Sequence, residues 1–333
     1  MMICLGIEST AHTLGLGIIS SEGEIIKQIQ KTYVPEIGGG IHPRKAAEHH
    51  SKYIESLILD IKNIENFNFK DLDLISFSQG PGLGPCLRMG AILARILSQT
   101  LKIPLVGVNH CLAHVEIGKL FCKVEDPICL YVSGGNTMVV GYGGGRYRIF
   151  GETLDISIGN MLDVFAREAN LHHPGGPKIE KLALKSNNFI ELPYTVKGMD
   201  LSFSGLLTAT INKLKTEINL NDLCYSLQEV AFAMLTEVTE RALAHTEKEE
   251  VLLTGGVAAN SRLQKMLKLM SNEHNANFQV VPRNLAGDNG IMIAWTGLLQ
   301  AKYGNILKIK DSNIKPKWRL NEINIPWIKE EGD

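Results

Sequence analysis

Two groups of short strands, each containing a polar or glycine-rich turn, constrain the fold of this chain more than any other feature. The strands are predicted over residues 2–8, 12–20 and 24–33, and again over 128–133, 137–142 and 146–150. Short strands joined by Ser, Thr and Gly turns are typical of antiparallel meanders. Each meander is followed by alternating helices and strands, so we predict a duplicated α/β fold with a cleft between its halves.

The apolar periodicity predicts the remaining elements. Helices are predicted over residues 43–64, 87–101, 111–121, 158–171, 177–185, 202–215, 220–247, 258–273 and 288–302. Further strands are predicted over 72–78, 105–109, 251–254 and 278–281, and a glycine loop over 38–40. A chain of 333 residues is long enough for about two domains. We expect an N-terminal lobe over residues 1–125, a C-terminal lobe over 126–303, and a tail over 304–333 that packs back on the first lobe.

The composition excludes several classes of protein. The 34 Lys and Arg residues balance 35 Asp and Glu residues, so the chain has no overall positive field for binding nucleic acid. No apolar run reaches the ~18 residues of a membrane span, and residues 1–10 lack the basic start of a signal peptide. The six cysteines form no Cys-x-x-Cys pair, which favours reduced thiols. We expect a cytoplasmic protein that does not contact a membrane.

Three turns at strand ends are candidates for binding phosphate. They lie at residues 8–13, 133–137 and 254–260. Glycine lets backbone N–H groups approach a phosphate closely, and the third turn also leads into a helix N-terminus. Neither a P-loop nor a Gly-x-Gly-x-x-Gly motif is present. One such turn alone is more often structural, but three in this order favour nucleotide binding, and the layout resembles the actin/Hsp70/sugar-kinase fold.

Two histidines one helical turn apart are candidate metal ligands. His110 and His114 are spaced i and i+4, so they share one face of a helix. Helix caps or hydrogen-bonded structural histidines are the alternative interpretation. Tyr131 and Asp288 are candidates for further ligands, and a helix N-cap is the alternative role of Asp288. Nitrogen, phenolate and carboxylate donors together suit iron or zinc better than magnesium.

A zinc protease is disfavoured at one position. The His-Glu-x-x-His motif places its general-base Glu directly after the first His. In this chain that position is Cys111, and Glu116 follows the second His by two residues, on a different face.

Eight stretches, taken together, are specific enough to indicate a family. They are residues 6–10, 40–43, 79–84, 109–114, 131–137, 175–177, 203–206 and 255–260. On these stretches the chain resembles the tRNA N6-adenosine threonylcarbamoyltransferase family, with the actin/Hsp70/sugar-kinase-like (ASKHA) fold. Its Gly-Ile-His-Pro and Ala-His-Thr variants resemble the archaeal and eukaryotic branch, the catalytic subunit of the KEOPS complex. No kinase-like sequence follows, so we expect the form that is not fused to a kinase.

The resemblance implies a reaction and a set of site residues. Threonylcarbamoyl-AMP is the donor, the N6 amine of adenosine 37 in tRNAs reading ANN codons attacks its carbamoyl carbon, and AMP leaves. One divalent metal, iron(II) with zinc(II) as the alternative, would be held by His110, His114, Tyr131 and Asp288. The residues implied to bind the donor, or ATP or AMP in its place, are Tyr131, Val132, Ser133, Gly134, Gly135, Asp163, Gly176, Glu180, Gly256 and Asn260. The implied partners are tRNA and the KEOPS subunits, namely a kinase-like ATPase subunit, a small dimerising subunit and accessory subunits.

His12 departs from the bacterial relatives, which place an acidic residue in this turn. It is a candidate catalytic residue, as a general base toward the amine, or a phosphate contact. A turn residue without a chemical role is the alternative. Without the resemblance, Asp163 and Glu180 are interpreted as exposed helix charges.

The tail is the candidate contact for tRNA. Its basic residues are Lys308, Lys310, Lys315, Lys317 and Arg319, with Asp311 as the single acid among them. A solvated charged segment is the simpler interpretation. A neutral net charge fits a subunit whose partners supply much of the grip on tRNA.

Other functions stay open on the sequence alone. An ATP-hydrolysing switch of the actin or Hsp70 kind, or a sugar kinase, uses Mg²⁺ and carboxylates in the first turn, where this chain has His12. A non-catalytic scaffold that binds nucleotide does not need a full set of metal and phosphate ligands. Bound transition metal, and loss of activity on mutating His110, would separate the transferase from both.

Overall fold

Two mixed five-stranded sheets form the framework of the computed structural model, which describes residues 1–36, 39–65 and 67–328. The strands of the first sheet are β1 (Ile3–Glu8), β2 (Thr13–Ser20), β3 (Ile25–Thr32), β4 (Leu74–Gly80) and β5 (Leu105–Asn109). The later strands are β6 (Ile128–Val132), β7 (Thr137–Gly143), β8 (Arg146–Glu152), β9 (Val196–Lys197), β10 (Asp200–Leu201), β11 (Glu250–Thr254) and β12 (Asn277–Val280). Strands β9 and β10 form a separate hairpin that the sequence analysis did not predict.

The helices pack on the faces of these sheets. They are α1 (Pro43–Lys62), α2 (Gly84–Leu101), α3 (His110–Cys122), α4 (Ile158–Glu168), α5 (Gly175–Ala183), α6 (Ser204–Leu214), α7 (Leu220–Thr246), α8 (Ser261–Glu273), α9 (Arg283–Ala286) and α10 (Gly290–Lys302). The prediction of a helix from residue 258 is wrong at its start. A 3-10 turn, Gly256–Ala259, comes first, and the Asn260 side chain then caps α8.

The order of the strands is the same in both sheets. It is β3-β2-β1-β4-β5 in the first and β8-β7-β6-β11-β12 in the second. In each, the first three strands along the chain are antiparallel and the last two add in parallel. The predicted duplicated α/β fold is confirmed. Parallel strands direct their carboxyl ends to one edge of a sheet, where sites of such folds lie.

One helix covers a sheet in an order that differs from the order of the chain. Helix α10 packs on β1, β2 and β4 of the first sheet, whereas α3 lies between the sheets and contacts β4 and β5 of the first as well as β6 and β11 of the second. The contact of α10 is so close that a Cβ on Gly17 would lie 2.3 Å from the Ile291 nitrogen. The predicted lobe ranges stay a prediction, and α10, which they assign to the second lobe, contacts the first sheet.

The tail contacts both halves over its described residues. Leu307 N donates to Leu105 O at 2.8 Å, and Lys315 N donates to Gln79 O at 2.7 Å, both in the first half. Further along, Ile325 N donates to Gly145 O of the second half at 2.8 Å. The tail therefore contacts β4 and β5 of the first sheet and the turn between β7 and β8 of the second.

Three sequence predictions concern features outside the sheets. In the ranges that the structure describes, no helix combines the length and the apolar character needed to cross a bilayer. All six cysteines are free thiols. The predicted glycine loop begins at Gly38, which lies outside the described residues.

Candidate functional site

A carboxylate and two imidazoles converge where the two halves meet. Asp288 Oδ1 lies 3.5 Å from His110 Nε2 and 3.3 Å from His114 Nε2. Two donors that each lie about 2.1 Å from one metal at a tetrahedral angle are about 3.4 Å apart. The histidine side chains are at most 5% exposed and that of Asp288 is 16% exposed. These separations match a shared metal ion.

Helix caps on either side of the ligands fix their positions. The Asn109 side chain accepts from Leu112 N at 3.1 Å, so α3 begins at His110 rather than at residue 111 as predicted. The Asn289 side chain accepts from Met292 N at 3.0 Å, so α10 begins at Gly290. The alternative role of Asp288 as the N-cap of this helix is therefore wrong. The carboxylate of Asp288 is left to face the histidines.

Tyr131 supplies a buried hydroxyl beside His114. Its ring stacks on His114 with centroids 4.7 Å apart and an interplanar angle of 29°. The hydroxyl is buried and has no hydrogen-bond partner within the described ranges. Burial raises the pKa of this phenol well above its usual value, and the nearby Cys111 and Asp288 raise it further, while the polar side chains of Ser133 and Asn136 oppose this only in part. A buried polar atom without a partner is costly, so the donor set with Tyr131 fits a metal ion.

Glu8 orients the first histidine. His110 Nδ1 donates to Glu8 Oε2 at 2.9 Å, while Thr10 N donates to Glu8 Oε1 at 2.6 Å. Burial alone would lower the pKa of His110, but the charges of Glu8 and Asp288 outweigh it and raise that pKa to about 9. A carboxylate on the far nitrogen fixes the tautomer of a metal-binding histidine.

Sequence reasoning missed this role of Glu8. The signal was topological, because Glu8 ends β1 and Asn109 ends β5, and β4 joins these two strands in one parallel set. The carboxyl ends of such strands meet at one edge, which brings Glu8 to His110.

The turn at residues 133–137 offers open backbone. A Cβ added at Gly134 or Gly135 meets no atom within 4 Å, and both glycines are exposed. The Ser133 side chain accepts from Asn136 N at 3.0 Å, so this hydroxyl shapes the turn itself. The strand residue before the turn, Val132, packs against Gly255. A Cβ on Gly255 would lie 2.2 Å from Val132 O. The third candidate turn therefore lies beside the second.

The other residues predicted to bind the nucleotide donor surround the 3-10 turn Gly256–Ala259. This turn contacts β6, α4 and α8. Asp163 accepts from Gly175 N at 2.7 Å, at the start of α5. Glu180 accepts from Ser261 N at 2.8 Å, and the Asn260 amide donates to Gln228 Oε1 at 2.9 Å. A Cβ added at Gly256 meets no atom within 4 Å, and one added at Gly176 meets a single side-chain atom at 3.8 Å. The structure thus gathers these residues on one side of the turns.

His12 faces the second half from its place in the first turn. Its ring approaches that of His173 edge to face, with centroids 6.3 Å apart. His173 Nδ1 in turn lies 3.6 Å from Asp163 Oδ2. His50, a buried residue that sequence reasoning missed, stabilises this turn. Its Nε2 donates to Ala11 O at 3.0 Å. His12 therefore faces, across His173, the residues of the second half that are predicted to bind the nucleotide donor.

Solved structures of other proteins share the fold. The HypF protein of T. kodakarensis matches with a TM-score of 0.64 and 17% identity, over 90% of this chain and 48% of that one. The activator of the 2-hydroxyisocaproyl-CoA dehydratase from Clostridium difficile matches with a TM-score of 0.54 and 12% identity, over 91% of this chain and 96% of that one. At these identities the likeness concerns the fold, and it confirms the predicted ASKHA class.

Sequence relatives are much closer. The chain is 54% identical over 329 residues to a probable bifunctional tRNA threonylcarbamoyladenosine biosynthesis protein of Methanothermobacter thermautotrophicus; the match covers 99% of this chain and 61% of the relative, so the chain spans about three-fifths of that protein. It is 56% identical over 327 residues to a tRNA N6-adenosine threonylcarbamoyltransferase of Thermococcus sibiricus, covering 98% of this chain and 100% of the relative. The family model TsaD, tRNA N6-adenosine threonylcarbamoyltransferase, matches residues 24–295. On this match and these identities, the chain belongs to the tRNA N6-adenosine threonylcarbamoyltransferase family.

Proposed function

We propose that this chain transfers the threonylcarbamoyl group from threonylcarbamoyl-AMP to the N6 amine of adenosine 37 in tRNAs reading ANN codons. In this proposal it works in the cytoplasm, as the catalytic subunit of a KEOPS-type complex. One observation carries it. Tyr131 stacks on His114 among the metal donors, and the chain enters the open glycine turn at Ser133 only two residues later. This continuity would place a metal and the phosphate of a nucleotide donor side by side.

The metal would be held by His110, His114, Tyr131 and Asp288. Iron(II), with zinc(II) as the alternative, would supply positive charge that draws electron density from the oxygens of the donor. Glu8 would keep His110 in the tautomer that presents Nε2, since its carboxylate accepts from Nδ1 at 2.9 Å.

The donor would lie across the two glycine turns. The open N–H groups of Gly134 and Gly135 would bind its phosphate, and Tyr131, Val132 and Ser133 would line the approach. The remaining donor-binding residues would be Asp163, Gly176, Glu180, Gly256 and Asn260. Carboxylates at Asp163 and Glu180 suit ribose hydroxyls, which donate hydrogen bonds, better than phosphates.

The chemistry then requires positioning rather than a covalent nucleophile. The mixed anhydride is already activated, so the N6 amine attacks the carbamoyl carbon directly, and the bond between that carbon and the phosphate oxygen breaks to release AMP. The amine must lose a proton in forming the new C–N bond. His12, whose ring lies against His173 of the second half, would accept this proton as a general base.

The experiment supplies threonylcarbamoyl-AMP and unmodified tRNA to the purified chain, with and without KEOPS subunits, and measures modified adenosine by mass spectrometry of the nucleosides. We expect product with wild type and none with the His110→Ala, His114→Ala double variant. The matched control is the His245→Ala, His274→Ala double variant, which removes two exposed histidines of the second half.

The outcomes separate the alternatives. Product only with partner subunits would support a catalytic subunit that depends on its complex. ATP hydrolysis with no modified adenosine under any condition would refute the transferase and favour the ATPase switch. Equal product from both double variants would refute the metal site.

A further inference from the structure

Three rings and two ammonium groups form a surface patch beside the first turn. His49 contacts Tyr53 with centroids 4.6 Å apart and Tyr33 with centroids 5.9 Å apart. The Lys31 and Lys52 ammonium groups lie 5.7 Å and 5.6 Å from the Tyr53 centroid. Both lysines are exposed and the rings are half-buried. We call these five residues the ring-and-lysine patch.

Backbone and side-chain contacts connect the patch to His12. Tyr33 N donates to His12 O at 2.8 Å, so the residue that carries this ring is hydrogen-bonded to the first turn. His50, the neighbour of His49 on α1, donates to Ala11 O at 3.0 Å. The patch is therefore held in a fixed place against the residue proposed to accept the proton of the attacking amine.

The charge of this region differs from that of the whole chain. Residues 27–53 contain five Lys or Arg residues and two Glu residues, whereas the chain has a net charge of −1. Glu36 pairs with Lys45 at 3.1 Å, and Glu48 is exposed on α1. Lys31, Lys52 and Arg44 remain exposed as well. Within residues 27–53, lysine and arginine thus outnumber glutamate.

We propose that the ring-and-lysine patch binds the single-stranded nucleotides that flank the target adenosine in the RNA substrate. This inference rests on the proposed function, which brings an RNA loop to His12. Aromatic faces stack on unpaired bases without reading their sequence, and lysines contact the phosphates between them. Rings and ammonium groups in alternation suit such a strand better than they suit an apolar protein surface.

The test measures binding of unmodified tRNA to the full-length chain by fluorescence anisotropy, from about 50 mM salt upward, where phosphate contacts are strongest. We expect the Lys31→Gln, Lys52→Gln variant to bind more weakly and to lower the slope of log affinity against log salt by about 1.4, at about 0.7 per single-strand phosphate contact. Tyr33→Ala should weaken binding about fivefold or more through lost stacking, and Tyr33→Phe should retain it.

Lys265→Gln, Lys268→Gln on α8 is the matched control, since it removes two exposed lysines of the second half. AMP binding by every variant reports that the donor site is folded. Equal affinity and salt slope for the patch and control variants would overturn the proposal, as would absence of tRNA binding by the wild-type chain at the lowest salt. If binding falls as expected while wild type transfers no threonylcarbamoyl group, the patch stands and the proposed function fails. If the patch variants bind tRNA as wild type does while wild type transfers the threonylcarbamoyl group, the patch proposal fails and the proposed function stands.

Discussion

Glu8 Oε2 accepts a hydrogen bond from His110 Nδ1 at 2.9 Å, and the other ring nitrogen of His110 lies 3.5 Å from Asp288. Glu8→Gln removes the charge that fixes this tautomer, so we expect metal affinity to fall roughly 10- to 100-fold. Competition with a chelator, followed by metal analysis, measures the loss. Glu22→Gln, an exposed change in the same half, is the control, and equal retention by both variants would contradict the role of Glu8.

Removing the Tyr131 hydroxyl should have opposite effects with and without metal. The hydroxyl is buried without a partner, so Tyr131→Phe should raise the free energy of unfolding of the metal-free chain by about 1 kcal/mol. The same variant should gain less thermal stability when iron(II) is added, because one ligand is missing. Denaturant unfolding and metal-dependent melting give the two readouts. A full metal-induced shift in Tyr131→Phe would remove the phenol from the ligand set.

His50 should make the fold sensitive to acid. Burial lowers its pKa from 6.5 to about 4, and the hydrogen bond to Ala11 O only partly opposes this. As the pH falls below 6.5, the unfolded chain binds a proton that the folded chain does not bind until about pH 4, so stability is lost across that interval. The full loss is about 3 kcal/mol at about 1.4 kcal/mol per pH unit.

The measurement compares urea unfolding of wild type and His50→Gln at neutral pH and at about pH 4.5. The difference in stability between the two proteins should shrink toward acid, because the variant has no group to protonate at this place. His245→Gln, an exposed change in the second half, is the control variant. A parallel pH dependence of wild type and His50→Gln would be inconsistent with the burial of a neutral imidazole.

Glycines of the turn and of the sheet should respond differently to alanine. At Gly134 the added methyl meets no atom within 4 Å, so the free energy of unfolding should change by less than about 1 kcal/mol while AMP affinity falls. At Gly17 the methyl would lie 2.3 Å from the Ile291 nitrogen, and Gly17→Ala should destabilise by at least about 2 kcal/mol. Calorimetric AMP titration and denaturant unfolding separate the two effects. Unchanged AMP affinity in Gly134→Ala would exclude that turn from the phosphate site.

The spacing of residues along the chain predicted much of the framework. Alternation and turn residues indicated both meanders, and the i, i+4 spacing of His110 and His114 indicated a shared helix face, on which the structure directs both Nε2 atoms toward Asp288. These features depend on local periodicity, which a sequence displays directly.

What the sequence could not supply depends on contacts between distant segments. Asp288 and Asn289 are both good N-cap residues, and only the position of α10 determines which one caps it. His50 has no local motif, because its partner is a carbonyl 39 residues earlier. Glu8 was visible as the end of a strand, but its contact with His110 required the order of three strands in one sheet.

The packing of α10 on the first sheet has a consequence for synthesis on the ribosome. Helix α10 covers β1 and β2, the first strands to be made, yet it ends at Lys302. Domains usually fold in the order in which they are synthesised. Here the nascent first sheet must wait, with one apolar face uncovered by α10, until residues 290–302 have left the exit tunnel.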